Sequence, residues 1–221
     1  MLDTIIFDLD GTLINSLDDL ADSCNIVLDK LNFPTYETEK YKNFIGNGAK
    51  NLIKRILPEN TDNDTFIKAK KMFDKIYSEL CLVKTAPYPQ INDLIKYIKN
   101  NNFKTAIVSN KPDDFTKKIS KALFKDEFSI DVIVGQSEKI NKKPNPAGIE
   151  YALKLLNSNK KSAIYIGDSD VDVKTAHNAN LLCIGASWGF RGENELKKAG
   201  ADFIALFPND IITIIEKINK I

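Results

Sequence analysis

Asp8 and Asp10 follow directly on the apolar run Thr4-Ile5-Ile6-Phe7, and Gly11-Thr12-Leu13 comes next. Residues two apart on an extended chain point the same way. Two carboxylates so placed can divide the work on one substrate, one attacking while the other moves protons. Gly11 permits a sharp turn that brings backbone close to a ligand. Standing alone, Asp-x-Asp-Gly is about as readily a turn, and Asp8 could cap a helix. The apolar run before it weighs towards chemistry, because ligands in open parallel sheets bind at the carboxyl ends of strands.

A second acidic cluster, Gly167-Asp168-Ser169-Asp170-Val171-Asp172, follows the run Ala163-Ile164-Tyr165-Ile166. Carboxylates converging on one point repel unless a hard cation lies between them, and Mg²⁺ suits an oxygen-only site. Ser169 or Asp170 could equally cap the helix that begins near Val171, and both roles can coexist within the cluster. Ser109, after Thr105-Ala106-Ile107-Val108, could donate to a phosphoryl oxygen or cap the next helix. Lys143 stands before Pro144 at a loop-to-helix junction, where proline restricts the backbone. A cation there could neutralise a bound phosphate and an aspartate together.

These residues need a scaffold that brings them to one edge. The apolar runs at 4–7, 105–108, 131–134, 163–166, 181–184 and 202–205 read as buried strands. Amphipathic stretches lie between most of them, one with Ile91, Leu94, Ile95 and Ile98 on one face, another with Ile149, Ala152, Leu153 and Leu156. Strands alternating with helices imply an α/β fold, a Rossmann-like doubly wound parallel sheet. From about Asn15 to Val83 the periodicity is helical only. The stripes there are Leu17 to Leu31, Ala49 to Ile56, and Phe66 to Leu80. They predict an inserted all-helical segment, 15–83, within a core made of 1–14 and 84–221.

Composition narrows the class. The formal net charge of +1 gives no global field to recruit nucleic acid or an anionic membrane. Cys24, Cys81 and Cys183 are too few and too widely spaced for a disulfide framework or a zinc site. No basic segment precedes an apolar stretch at the start, and no apolar run approaches the roughly 20 residues of a membrane helix. The expectation is a cytoplasmic protein, with nothing to choose between monomer and homodimer.

Asp8-Leu9-Asp10-Gly11-Thr12-Leu13, Ser109, Lys143-Pro144 and Gly167-Asp168-Ser169-x-x-Asp172 together resemble, in order, the four motifs of the haloacid dehalogenase superfamily. Within it the chain is similar to the phosphoglycolate phosphatase-like branch. That similarity is carried by Ile45-Gly46-Asn47-Gly48-Ala49, Ala86-Pro87-Tyr88-Pro89, Ser109-Asn110-Lys111-Pro112, Trp188-Gly189-Phe190 and Gly200-Ala201-Asp202. Gln90 departs from the pattern, standing where relatives usually have glycine. The resemblance implies a helical cap inserted after the first motif and a phosphatase using an aspartyl-phosphate intermediate. Asp8 would be the nucleophile and Asp10 the general acid and base. Mg²⁺ would be held by the Asp8 side chain, the Asp10 backbone carbonyl and Asp168, with Asp172 and Ser169 around them. Leu9, Gly11, Thr12, Ser109 and Asn110 would bind the phosphoryl group, and Lys143 would offset its charge. The implied partner is a small phosphorylated metabolite.

Substrate choice is expected from the cap. Asn47 and Gly48 open its second long helix, where free amides favour an anion. Arg55 reads either as a substrate contact or as an exposed helix residue. Arg191 has no assigned role, His177 is expected to be a bystander without a partner, and Trp188 could face core or cap. A β-phosphoglucomutase or a pyrophosphatase of the same superfamily would share the core. A phosphonatase would need a cap lysine such as Lys50 or Lys54. A non-catalytic phosphoacceptor would have neither the insertion nor Asp10-Gly11-Thr12.

Overall fold

The computed structural model describes residues 1–220. The chain enters through β1 (Thr4–Phe7) and β2 (Ile14–Asn15), then passes through α1 (Leu17–Lys30), α2 (Tyr41–Phe44), α3 (Ala49–Ile56) and α4 (Asn63–Leu80). It returns through β3 (Ala86–Pro87), α5 (Ile91–Asn100), β4 (Lys104–Pro112), α6 (Asp113–Leu123), β5 (Val132–Gln136) and α7 (Ala147–Leu155). The last elements are β6 (Ala163–Gly167), α8 (Asp170–Asn178), β7 (Leu182–Ala186), α9 (Gly192–Ala199), β8 (Phe203–Ala205) and α10 (Asp210–Asn219).

Six strands form one parallel sheet in the order β5-β4-β1-β6-β7-β8. β1 is central, with Ile5 paired to Thr105 on one side and Ile164 on the other. Its side chains alternate between two cores. Ile5 and Phe7 join the apolar cluster that holds Leu94 and Ile98 of α5 and Ile211 and Ile215 of α10. Ile6 joins the opposite cluster, with Ile149 and Leu153 of α7, Val173 of α8 and Leu196 of α9. Burial on both faces is why the strand reads as an unbroken apolar run. The carboxyl ends of β1, β4 and β6 therefore lie side by side where the strand order reverses, the usual ligand position in such sheets.

α1, α3 and α4 carry the three apolar stripes, with Leu20, Cys24, Leu28, Ile53, Phe73 and Tyr77 buried. The fold is thus a doubly wound core with an inserted helical cap. Two features went unseen in the sequence. α2, only four residues long, follows a 3-10 turn at Thr38–Lys40. The crossing between core and cap is an antiparallel pair, Ile14 with Pro87 and Asn15 with Ala86. Elements of two to four residues carry too little periodicity to read. β4 is also longer than the expected 105–108, running on through Ser109, Asn110 and Lys111 to Pro112, which pairs with Gln136 after a register shift.

Cys24, Cys81 and Cys183 are buried free thiols. No helix among the described residues is long and apolar enough to cross a membrane.

Candidate active site

Asp8 stands one residue past the end of β1, its amide donating to the Ile166 carbonyl of β6 at 2.9 Å. The chain then turns tightly, and the Leu9 carbonyl accepts from the Leu13 and Ile14 amides at 3.0 and 3.1 Å. Gly11 has φ +88, and a Cβ there would lie 2.3 Å from Asp168 Oδ2. Only glycine lets the first acidic loop pack on the second.

Asp168 stands one residue past the end of β6 and is 3% exposed. Its Oδ2 accepts the Phe190 amide at 2.7 Å. Ser169 caps α8 in a reciprocal box with Asp172: the Ser169 hydroxyl oxygen accepts the Asp172 amide at 3.4 Å, Asp172 Oδ2 accepts the Ser169 amide at 3.1 Å, and the hydroxyl also donates to that Oδ2 at 2.6 Å. Asp172 Oδ1 accepts the Lys143 ammonium at 2.6 Å and the Tyr165 hydroxyl at 3.1 Å. Both carboxylate oxygens of Asp172 are therefore engaged, so the capping role and the site role belong to the same residues.

Lys143 reaches this network from a loop whose peptide to Pro144 is cis. Its ammonium lies 2.8 Å from Asp8 Oδ1. Asn110 fixes the loop, accepting the Lys143 amide at 2.7 Å and donating to the Gly46 carbonyl of the cap at 3.1 Å. Ser109 lines the cavity and does not cap α6, because β4 continues past it and α6 begins only at Asp113.

Oxygens of Asp8, Asp168 and Asp172 all lie within 4.8 Å of one another. Burial pushes the Asp8 carboxyl up to about 7; Asp172 and Asp10 add to the rise and Lys143 opposes it. Burial, with Asp172 and Asp8, also pushes Asp168 well above the carboxylate range. Burial works against the charge on Lys143, but Asp172 and Asp8 outweigh it and hold the ammonium protonated. Three buried acids thus face more negative charge than one lysine offsets. Asp8 Oδ1 is buried without an aligned hydrogen bond among the described residues. A buried all-oxygen cluster of three carboxylates that share one lysine fits a small hard cation.

The Asp10 carboxylate does not join that cluster; Asp172 does. Asp10 is held instead by Lys111, whose Nζ donates to Oδ1 at 2.6 Å and Oδ2 at 2.8 Å, and by the Ser16 hydroxyl. Ser16 lies where the chain enters the cap, so the acid is tied to the crossing.

A cavity of about 60 Å³ lies between cap and core. Asp8, Asp10, Ser109, Asn110, Lys111, Asp168 and Ser169 form its polar floor, and Leu20, Ala49, Leu52, Phe73 and Tyr77 its cap wall. Leu9, Thr12 and Asp172 are buried behind it.

Several expectations are corrected here. Gly48 lines the cavity, but the Asn47 side chain does not: it accepts from the exposed Arg55, which also donates to the Phe44 carbonyl. Arg55 therefore braces the outer face of the cap loop. His177 has a partner, Asp202 Oδ2 at 3.1 Å, in an exposed pair of little energetic weight. The Trp188 indole donates to the Thr12 carbonyl at 3.0 Å and so supports the first acidic loop. Lys111, Ser16, Tyr165 and Arg191 were missed as site residues. Lys111 lay in plain view within Ser109-Asn110-Lys111-Pro112, but nothing in the sequence set it apart from the many other lysines. Arg191 lines the cavity and donates to the cap carbonyl of Ile45 at 3.1 Å.

Comparison with known proteins agrees with this geometry. Residues 5–186 match the model of the haloacid dehalogenase-like hydrolases. The phosphoglycolate phosphatase of Psychrobacter arcticus is 34% identical over 214 residues, covering 91% of this chain and 93% of that protein. The phosphoglycolate phosphatase of Aquifex aeolicus is 31% identical, covering 96% of each. A crystal structure of a candidate phosphoglycolate phosphatase from Lactobacillus delbrueckii subsp. bulgaricus superposes with a TM-score of 0.89 at 28% identity, covering 95% of this chain and 96% of that one. CbbY from Rhodobacter sphaeroides, solved in complex with phosphate, gives 0.73 at 26% identity, covering 93% and 94%. The chain belongs to the haloacid dehalogenase-like hydrolase family, and it is a phosphatase.

Proposed function

We propose that the protein hydrolyses a small phosphate monoester, of the phosphoglycolate kind, through a phosphoryl group carried on Asp8 with Mg²⁺ as cofactor. The observation that carries this reading is the Asp8 carboxylate itself, open to the cavity, 2.8 Å from Lys143 and clustered with Asp168. An anionic nucleophile can approach an anionic phosphoryl group only where positive charge is prearranged.

Asp8, the Asp10 backbone carbonyl and Asp168 would hold the metal, which would supply positive charge to the phosphoryl oxygens. Asp172, with both oxygens already engaged, would stay behind Lys143 and fix it. Asp8 attacks phosphorus in line, and the ester oxygen leaves on the opposite side. Asp10 gives that oxygen a proton, then takes one from the water that releases phosphate from Asp8. Ser109 and the backbone of the Leu9 to Thr12 turn hold the non-reacting phosphoryl oxygens. Lys143 offsets the charge that Asp8 and phosphate share.

The domain reading is a core of 1–14 and 84–221 with a cap of 15–83, the cap moving about the Asn15 and Thr85 crossings. The test is phosphate release from phosphoglycolate, pyrophosphate, β-glucose 1-phosphate and p-nitrophenyl phosphate, with Mg²⁺ and with chelator. Metal-dependent turnover greatest on phosphoglycolate is expected. A maximum on another ester would move the substrate, and no turnover on any would overturn the reading.

A further inference from the structure

Tyr77 of α4 is 1% exposed and lines the same cavity as Asp8 and Asp10. Its ring is fixed on two sides, stacked on Phe73 with centroids 5.3 Å apart and edge-on to Phe115 at 5.2 Å. Its hydroxyl has no aligned hydrogen-bond partner among the described residues; the Lys111 ammonium lies against it and can only donate, so the hydroxyl proton has no acceptor. A buried hydroxyl left unpaired costs about 1–3 kcal/mol, so such a group in a cavity wall points to a ligand. Burial keeps its proton in place, which makes it a donor.

Beside it lies the Lys111 ammonium, 5.1 Å from the Tyr77 ring centroid and itself buried. Two of its contacts go to Asp10 and it also lies against the Tyr77 hydroxyl, so an anion reaching the hydroxyl proton meets the ammonium as well. The wall around the pair is apolar, from Leu20, Leu52, Phe73 and Phe115. Arg191, the other cation lining the cavity, is already committed to the Ile45 carbonyl.

We propose that Lys111 and Tyr77 together form a subsite for a carboxylate, or a similar anion, on the leaving-group side of the substrate. This rests on the reading of Asp8 as the phosphoryl acceptor and of a phosphoglycolate-like ester as substrate, and adds to it the residues that would recognise the leaving group's carboxylate. The Tyr77 hydroxyl donates one hydrogen bond to that anion and Lys111 the other. Lys111 belongs to β4 of the core and Tyr77 to the cap, so the anion bridges the two. An ester that lacks it leaves the Tyr77 hydroxyl unpaired, and sites built to hydrogen-bond a substrate reject such analogues strongly.

The experiment compares kcat/KM for 2-phosphoglycolate and for 2-hydroxyethyl phosphate, with Mg²⁺, in the wild type, Tyr77→Phe and Lys111→Gln. Tyr77→Phe removes one oxygen and leaves Lys111 its two bonds to Asp10, so the fold is kept. The wild type is expected to prefer the carboxylated ester. Tyr77→Phe lowers the ratio of the two kcat/KM values about tenfold, mainly through KM for the carboxylated ester. Lys111→Gln slows both esters through Asp10 and lowers the same ratio. A Tyr77→Phe ratio within twofold of wild type would overturn the subsite, as would a wild type that turns over both esters without preference. A wild type that releases phosphate from neither would instead overturn the phosphatase reading on which the subsite rests.

Discussion

Asp172 holds the Lys143 ammonium at 2.6 Å, and that same ammonium stands 2.8 Å from Asp8 Oδ1. Asp172 is fully buried, so its charge exists for Lys143 and for the Ser169 cap. Asp172→Asn keeps the shape but weakens the grip on the ammonium. Its kcat is expected to fall about 10- to 100-fold, with KM little changed, because charge stabilisation is lost where phosphorus reacts. Asp172→Ala leaves a buried lysine without its main partner and should destabilise the fold by about 3–5 kcal/mol. Denaturant melts and steady-state kinetics read both. Wild-type kcat in Asp172→Asn would show that Lys143 needs no such fixing.

Asp8→Asn retains volume and removes the nucleophile. Turnover should drop at least about a thousandfold, as it does when a group that forms the covalent intermediate is lost. The protein should remain folded, since the carboxylate is held against Lys143 and not used as a structural cap. Initial rates taken after mass spectrometry has excluded deamidation decide it, and a retained rate would remove Asp8 from the chemistry.

Asp8 and Asp168 also predict a stability effect that needs no substrate. A cation that binds only the folded state raises stability by about 2.7 kcal/mol at a hundred times its Kd. For a chain of this size each kcal/mol shifts Tm by about 2–4 °C. Mg²⁺ should therefore raise Tm by about 5–10 °C, and chelator should reverse it. In Asp168→Asn the shift should vanish. An equal Mg²⁺ shift in that variant would place the metal elsewhere.

Much of this site was legible because it sits at the ends of buried strands. β1 and β6 are short, apolar and followed at once by acids, so Asp8, Asp10, Asp168 and Asp172 could be placed on one edge before any coordinates. The cap was legible from three long amphipathic stripes. What stayed hidden depends on distance in space and not in sequence. Lys111 and Asp10 are 101 residues apart, and only the closing of β4 beside β1 makes them a pair. Tyr77 reads as one more apolar residue in the stripe of α4 until its hydroxyl is found without an acceptor. The Asn47 side chain turns to Arg55 because a helix start says where backbone amides point, not where a neighbouring side chain goes.

Asp19 makes the last prediction. It lies in the first turn of α1, is 1% exposed, and accepts the Lys84 amide at 2.9 Å, the Thr85 amide at 2.8 Å and the Thr85 hydroxyl at 2.7 Å. The chain entering the cap thus holds the chain leaving it, next to the β2–β3 pair. Asp19→Ala strands three donors in a buried place at about 1–3 kcal/mol for each left unpaired, with partial rescue by water. The expected loss is about 2–4 kcal/mol in denaturant unfolding. Asp19→Asn keeps one acceptor oxygen and should lose about half as much. If both variants unfold within about 0.5 kcal/mol of wild type, the crossing is held by the strand pair alone. If Asp19→Asn is instead as costly as Asp19→Ala, the charge and not the count of acceptors is what the crossing uses.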